Sequence, residues 1–360
     1  MSTSLLSPVS LGALDLPNRF VMAPLTRTRT GDERVPGELN AEYYRQRAGA
    51  GLIVSEATAI TPEAVGYKWT PGLWSDEQVA GWRTVTAAVH EAGGRIVAQL
   101  WHVGRISHTS FHDGEPPVSA TDRAAEGAKS FTAAGYEATS TPRRLGTDEL
   151  PRVVEDYRRA ATNAMTAGFD GVEVHAANGY LLEQFLADGV NDRDDEHGGS
   201  TENRARLTLA VVDAVVEAVG DAARVGIRLS LGNGTAGAHD SDAGGSLARL
   251  GGELDRRGLA YVHYVEPVVD GERQVGLTAA LRSTWHGPLV LAQGFTPESA
   301  EATVSEGRAD AVAFGRAFIS NPDLPERHRV GATLADADAS TFYGEGPTGY
   351  TDYPALTEAA

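Results

Sequence analysis

The sequence predicts an α/β protein of the (β/α)8 TIM-barrel class, with an N-terminal β-hairpin and a long capping excursion after the third strand. Three observations predict it. Eight short apolar runs alternate with segments of helical pattern along the chain. The runs are largely apolar without strict alternation, as suits parallel strands covered on both faces. The ends of the runs, where barrel enzymes carry their chemistry, are rich in polar or small residues. A doubly wound sheet also alternates strands and helices, but eight units in 360 residues favour a closed barrel. No low-complexity linker divides the pattern, so residues 1–360 read as a single domain.

The elements follow in order. Two β-like pieces, 9–11 and 13–16, flank Gly12 and read as a hairpin closed by Pro17. The first barrel strand is predicted over 20–25, followed by a helix over 39–48. The second pair is 51–57 and 76–92, and the third strand is 95–100. From His102 to Thr147 the chain is polar and rich in Gly, Pro, Ser and Thr. That is too long for a simple connection and reads as a lid. A helix over 148–167 leads to a fourth strand at 171–174. Helices over 202–219, 246–258, 277–285 and 297–306 alternate with strands at 225–229, 261–265, 289–292 and 311–314.

Composition narrows the function. A formal net charge of −18 disfavours nucleic acid or an anionic membrane as partner, since both call for basic patches. Cysteine is absent, which excludes disulfides, thiolate nucleophiles and iron–sulfur clusters together. The first residues show no leader pattern, no run is long enough to span a membrane, and the last residues are no peroxisomal address. A cytoplasmic protein is the expectation. Lys68 and Lys129 are the only lysines; coding bias and adaptation to salt both account for that.

The strand ends carry the candidate site. The first ends Ala23-Pro24-Leu25-Thr26-Arg27, the second Ser55-Glu56-Ala57-Thr58, and the third Gln99-Leu100-Trp101-His102. The fourth runs into His175-Ala176-Ala177-Asn178-Gly179-Tyr180, which sets three hydrogen-bonding side chains in six residues at a strand-to-helix turn. The fifth ends Arg228-Leu229-Ser230. The loops after strands seven and eight are the usual phosphate site of such barrels, and Gly294, Gly315 and Arg316 fit it. Arg316 can bind two oxygens through its planar fork. From the residues alone other roles stay open: a structural Arg228–Glu173 pair, Gln99 as an ordinary polar residue of the barrel mouth, Trp101 as core.

Seven stretches resemble the Old Yellow Enzyme family of FMN-dependent ene-reductases. They are NRFVMAPLTR from Asn18, QLWHVGR from Gln99, HAANGYLLEQFL from His175, GGSTENR from Gly198, Phe314-Gly315-Arg316 with Asn321-Pro322-Asp323-Leu324, Phe342-Tyr343-Gly344, and GYTDYP from Gly349. The resemblance runs from about Leu5 to Pro354. Thr26, with the lack of cysteine, points to the yeast and enterobacterial-like branch.

The resemblance implies a soluble NAD(P)H-dependent ene-reductase, of the NADPH dehydrogenase type, with non-covalent FMN. It implies flavin-ring contacts from Pro24, Leu25, Thr26, Ala57, Gln99 and Arg228, and phosphate contacts from Gly294, Gly315 and Arg316. An arginine near the flavin N1/O2 edge stabilises the negative charge that gathers there on reduction. Gln99 offers donor and acceptor to the pyrimidine edge, and Thr26 tunes the O4 side. NADPH, or NADH, passes hydride to flavin N5. An electron-poor alkene conjugated to a carbonyl or nitro group then receives hydride at its β-carbon from N5. His175 and Asn178 hold its oxygen, and Tyr180, a phenol of ordinary pKa near 10, protonates the α-carbon. Tyr67, Trp101 and Tyr350 are implied pocket residues. Phenols commonly mimic the substrate oxygen in the family. A monomer or homodimer is expected.

The chain departs from the family in places. The clamp is His/Asn, where His/His also occurs. The Ser-Pro usual after strand five is Ser230-Leu231, and the following glycine-rich loop, without aromatics, is expected to leave one pocket wall open. His197 stands where Tyr is usual, with no catalytic consequence expected. The run Asp192-Arg193-Asp194-Asp195-Glu196 lacks the ligand spacing of a calcium loop and reads as an arginine-paired loop. Other readings are a different FMN barrel, a phosphate-binding lyase or isomerase, or a flavin-binding protein without turnover.

Overall fold

The computed structural model describes residues 4–356. Residues 1–3 and 357–360, read above for targeting signals, lie outside the described residues. Eight parallel strands close a barrel: β1 (Phe20–Met22), β2 (Leu52–Val54), β3 (Ile96–Trp101), β4 (Gly171–Ala176), β5 (Val225–Leu229), β6 (Tyr261–Val265), β7 (Leu289–Ala292) and β8 (Ala311–Phe314). Each pairs with its sequence neighbour, and β8 returns to β1 through Val312↔Phe20 and Phe314↔Met22. A two-residue piece, Thr58–Ala59, pairs alongside β3. Every barrel-strand residue is buried, which is why the runs read as largely apolar without strict alternation.

Between the strands lie α1 (Glu38–Arg45), α2 (Asp76–Glu91), α3 (Leu150–Thr166), α4 (Leu181–Leu186), α5 (Thr201–Val219), α6 (Ala243–Arg257), α7 (Val275–Arg282) and α8 (Pro297–Ser305). After β8 come α9 (Arg316–Ser320) and α10 (Leu324–Val330). Local chemistry sets their ends. Ser75 caps α2 by accepting the Gln78 N–H, and the Gln78 side chain answers the Ser75 N–H at 3.3 Å. Thr296 caps α8 with Pro297 in its first turn. Gly220 and Gly258 end α5 and α6 in left-handed conformation.

The N-terminal hairpin, Val9–Leu11 with Leu14–Leu16, plugs the lower end of the barrel. Its Leu11, Leu14 and Leu16 join Val21, Leu52, Val97, Val290 and Ala311 in one apolar cluster. Each such side chain contributes on the order of 1.5–3 kcal/mol on burial. Gly12 makes the turn at φ 61°, and a Cβ there would lie 2.4 Å from the Ala223 carbonyl oxygen. The plug needs glycine at that position.

The excursion after β3 is a cap, as expected. It holds an antiparallel hairpin, Lys129–Thr132 with Gly135–Ala138, and a parallel pair, Val118–Ser119 with Arg143–Arg144. The Lys68 N–H donates to the Phe131 carbonyl at 2.7 Å, docking the hairpin beside Tyr67 at the barrel mouth.

Candidate active site

The chain leaves β4 through a turn that asparagine and glycine permit. β4 runs two residues beyond the predicted strand, so His175 and Ala176 are still in the ladder, opposite Arg228 and Leu229. Asn178 and Gly179 then take left-handed angles, φ 58° and 77°. Asn tolerates that region far better than most residues, and glycine enters it freely. Tyr180 follows as the N-cap of α4. The Leu181 N–H donates to the His102 carbonyl at the end of β3 (3.0 Å), and the Gln184 amide donates to the carbonyls of Val103 (3.0 Å) and Gly179 (2.7 Å). His175, Asn178 and Tyr180 are thus brought together and fixed at the mouth.

Their electronic states follow from burial. Burial first, then the charge of Arg228 and the nearby His263, hold His175 well below the usual imidazole range, so the ring is neutral. The Ala177 N–H donates to its Nδ1 at 3.3 Å. The ring proton therefore sits on Nε2, which is the donor the site presents. The Tyr180 ring packs edge-on against His175 (5.1 Å) and Trp101 (5.0 Å), and its hydroxyl lies 3.4 Å from that of Tyr67. Burial raises both phenols above their ordinary range. Trp101, expected among the pocket residues, is 1% exposed and stacks behind Tyr67 at 5.6 Å. It sets the two tyrosines and does not face the cavity.

Below this layer the barrel interior holds four polar side chains. Glu173 accepts from Gln99 Nε2 at 2.7 Å and contacts His263 Nδ1 at 2.9 Å. Despite complete burial, the nearby His263, Arg228 and Gln99 hold its carboxyl below the usual range. The structural Arg228–Glu173 pair weighed from sequence is not made; Glu173 is shared by Gln99 and His263. Sequence reasoning missed His263, although the pairing of Arg228 with His263 across β5 and β6 follows from the register. One amide N–H of Gln99 goes to Glu173, and its Oε1 is left free as an acceptor. Gln99 Oε1 and Arg228 Nε are buried without a partner. A flavin, whose pyrimidine edge carries an N–H donor flanked by carbonyl acceptors, satisfies both. These residues fit the group.

A cavity of about 810 Å³ runs from Arg228, past Ala23, Pro24 and Leu25, to Gln293, Gly294, Gly315 and Arg316. It brings expected ring and phosphate residues into one space of the size that small-molecule sites have. At its far end Gln293 and Gly294 both take positive φ, 95° and 64°. Arg273, not anticipated from sequence, props this turn. Its guanidinium donates to the Gln293 carbonyl at 2.7 Å and lies 3.4 Å over the Phe295 ring. Ala57 is buried beside Trp101 and Val103. Thr26 lines a neighbouring slot with Thr28, Tyr67, Phe131, Tyr136, Tyr180 and Tyr343.

Two expectations are corrected here. Tyr350 does not line the slot. It is fully buried, stacked on Tyr43 at 4.0 Å, and its hydroxyl accepts from the Asn40 amide at 3.1 Å. Tyr343 occupies the slot instead. The loop after β5 does not leave a wall open. Thr235, Ala236 and Gly237 line a cavity with Asn178, Tyr180 and Tyr67, because small residues let its backbone pack directly on Gly179. His197 packs edge-on against Phe185, away from the chemistry. In the acidic run Arg193 pairs with Asp195, and Arg144 with Asp192 at 2.8 Å, the arginine pairing expected.

A model of the NADH:flavin oxidoreductase / NADH oxidase family matches residues 4–334. The chain belongs to that family, the Old Yellow Enzyme family. The chain is 46% identical over 363 residues to 12-oxophytodienoate reductase 1 of Oryza sativa subsp. japonica, covering 98% of this chain and 93% of the relative. Among solved structures, morphinone reductase superposes with a TM-score of 0.96 at 51% identity, over 100% of this chain and 98% of its own. Another structure of that protein contains tetrahydroNAD, with a TM-score of 0.94 at 53% identity, over 98% of each chain. The old yellow enzyme homologue of Zymomonas mobilis gives 0.95 at 43% identity, over 98% of this chain and all 100% of its own. This Old Yellow Enzyme-family chain is therefore a nicotinamide-dependent flavin oxidoreductase built on a (β/α)8 barrel.

Proposed function

We propose that this enzyme reduces the C=C bond of α,β-unsaturated carbonyl or nitro compounds with NAD(P)H, using non-covalent FMN. One observation carries the reading. A neutral His175, Asn178 and a protonated Tyr180 converge at the end of β4, beside a cavity that reaches Arg316. Bound there, FMN would supply the hydride chemistry that links the nicotinamide to the alkene β-carbon. His175 Nε2–H and the Asn178 amide donate to the substrate oxygen, where negative charge grows as the bond is reduced. Donors placed in this way are typically worth about 3 kcal/mol each in the transition state. Tyr180 transfers its phenolic proton to the α-carbon, which completes the addition of two hydrogens. Tyr67 shares the slot and lies within reach of the Tyr180 hydroxyl, so it supports that proton.

The slot between Thr26, Tyr67, Tyr180 and Tyr343 suits a flat, electron-poor alkene. Gly294, Gly315 and Arg316 would hold the flavin phosphate, and Gln99 and Arg228 its pyrimidine edge. NADPH is the expected reductant, with NADH the alternative; rates of flavin bleaching by each decide it. A cytoplasmic setting supplies that reductant. With its net charge of −18, the enzyme acts on small molecules as a monomer or homodimer rather than on nucleic acid or a membrane. Tyr180→Phe tests the assignment. Flavin reduction by nicotinamide should stay nearly intact while alkene turnover slows by about 10²–10⁴. Equal losses in both half-reactions would remove Tyr180 from its role.

A further inference from the structure

Glu183 is a buried carboxyl to which the chemistry above gives no task. It lies in the first turn of α4 and is 1% exposed. Its two oxygens are used separately. One accepts the Gly179 N–H, and the other accepts the Ser230 hydroxyl at 2.7 Å. Ser230, fully buried just past β5, in turn accepts the Asn178 N–H at 2.6 Å. Because the hydroxyl has one proton and gives it to Glu183, only lone pairs face Asn178. Ser230 is itself pinned, since the Asn233 amide donates to its carbonyl (3.2 Å) and to that of Val265 (2.7 Å). One carboxyl thus holds both left-handed residues of the turn, Gly179 directly and Asn178 through Ser230.

We propose that Glu183 and Ser230 are positioning residues for the oxygen clamp: they hold the Asn178 backbone in its left-handed conformation and so aim its carboxamide at the substrate oxygen. This rests on the reading of Asn178 as an oxygen-binding group. A left-handed L-residue is disfavoured by itself, so the surroundings must hold it. Among the described residues neither N–H of the turn has another partner, and leaving the buried Gly179 N–H unpaired is costly. Replacement of the family's Ser-Pro by Ser230-Leu231 leaves the serine, and with it the link, in place.

A double-mutant cycle on the FMN-loaded protein tests the proposal, reading phenol affinity from its charge-transfer absorbance. Asn178→Gly removes the carboxamide while permitting the same backbone. It and Ser230→Ala should each weaken phenol binding roughly tenfold, a change of the size a lost hydrogen bond produces. The double variant should bind no more weakly than Asn178→Gly alone, because Ser230 acts only through Asn178. Glu183→Gln, which keeps an acceptor for one of the two donors, should show a smaller loss that also vanishes in the Asn178→Gly background. It decides the matter should Ser230→Ala fail to fold. Additive losses, or undiminished phenol binding by Ser230→Ala and Glu183→Gln, overturn the positioning role and leave the clamp standing. Undiminished binding by Asn178→Gly overturns the clamp itself, and the proposal with it.

Discussion

At residue 178 the backbone and the proposed chemistry make the same demand. The turn needs a residue that accepts φ 58°, and the oxygen needs a donor. Asn and His are both enriched in the left-handed region, and both donate. That gives a physical reason for the family to use either at this place. Asn178→Asp keeps the backbone preference but turns the donor into a negative acceptor. It should lower alkene turnover by about 10²-fold or more, with FMN content, read from the absorbance of the purified protein, unchanged. A variant with near-normal turnover would show that Asn178 is not a donor to substrate. The proposed proton donor, Tyr180, sets the expected pH profile. Burial raises the Tyr180 phenol above its ordinary range, so the acid form persists throughout neutral pH. The rate of the alkene half-reaction should stay level from about pH 6 to about pH 9. A loss of rate with a midpoint near pH 7 would point to another donor.

The elements differ in how openly the sequence declares them. Barrel strands are legible because burial on both faces leaves mostly apolar side chains, and the His175–Tyr180 turn is legible because three polar groups follow such a run. Side-chain direction is less so. Glu173 and His263 share the barrel interior through strand register, which a single sequence does not print. Tyr343 and Tyr350 lie in a segment without regular periodicity. Nothing in their spacing says that Tyr350 fastens the C-terminal segment to α1 while Tyr343 faces the slot. Beside that fastening, burial pushes the Glu56 carboxyl up to about 7. An unfolded carboxyl, with a pKa near 4.3, releases its proton first as pH rises. Glu56 therefore lowers stability progressively as pH climbs from about 4.5 to about 7. The Tm of the wild type relative to Glu56→Gln, which does not titrate, should drop between about pH 5 and about pH 8. A constant difference would mean that Glu56 stays ionised in the fold.

Across the whole molecule, the barrel divides its work by end. The hairpin plug fills the lower end with leucines, and the strand ends above supply a cavity from Arg228 to Arg316 with the clamp beside it. The cap hairpin closes over that mouth through Phe131 and Tyr67. The two halves of the proposed chemistry can be watched separately. The most direct test is anaerobic: the FMN-loaded enzyme is bleached with a stoichiometric amount of reduced nicotinamide, then mixed with enones, nitroalkenes and maleimides while the flavin absorbance is followed. One or more of these alkenes should restore the oxidised flavin band without oxygen and yield the saturated product. A reduced flavin that every alkene leaves untouched, and that only oxygen reoxidises, would contradict it.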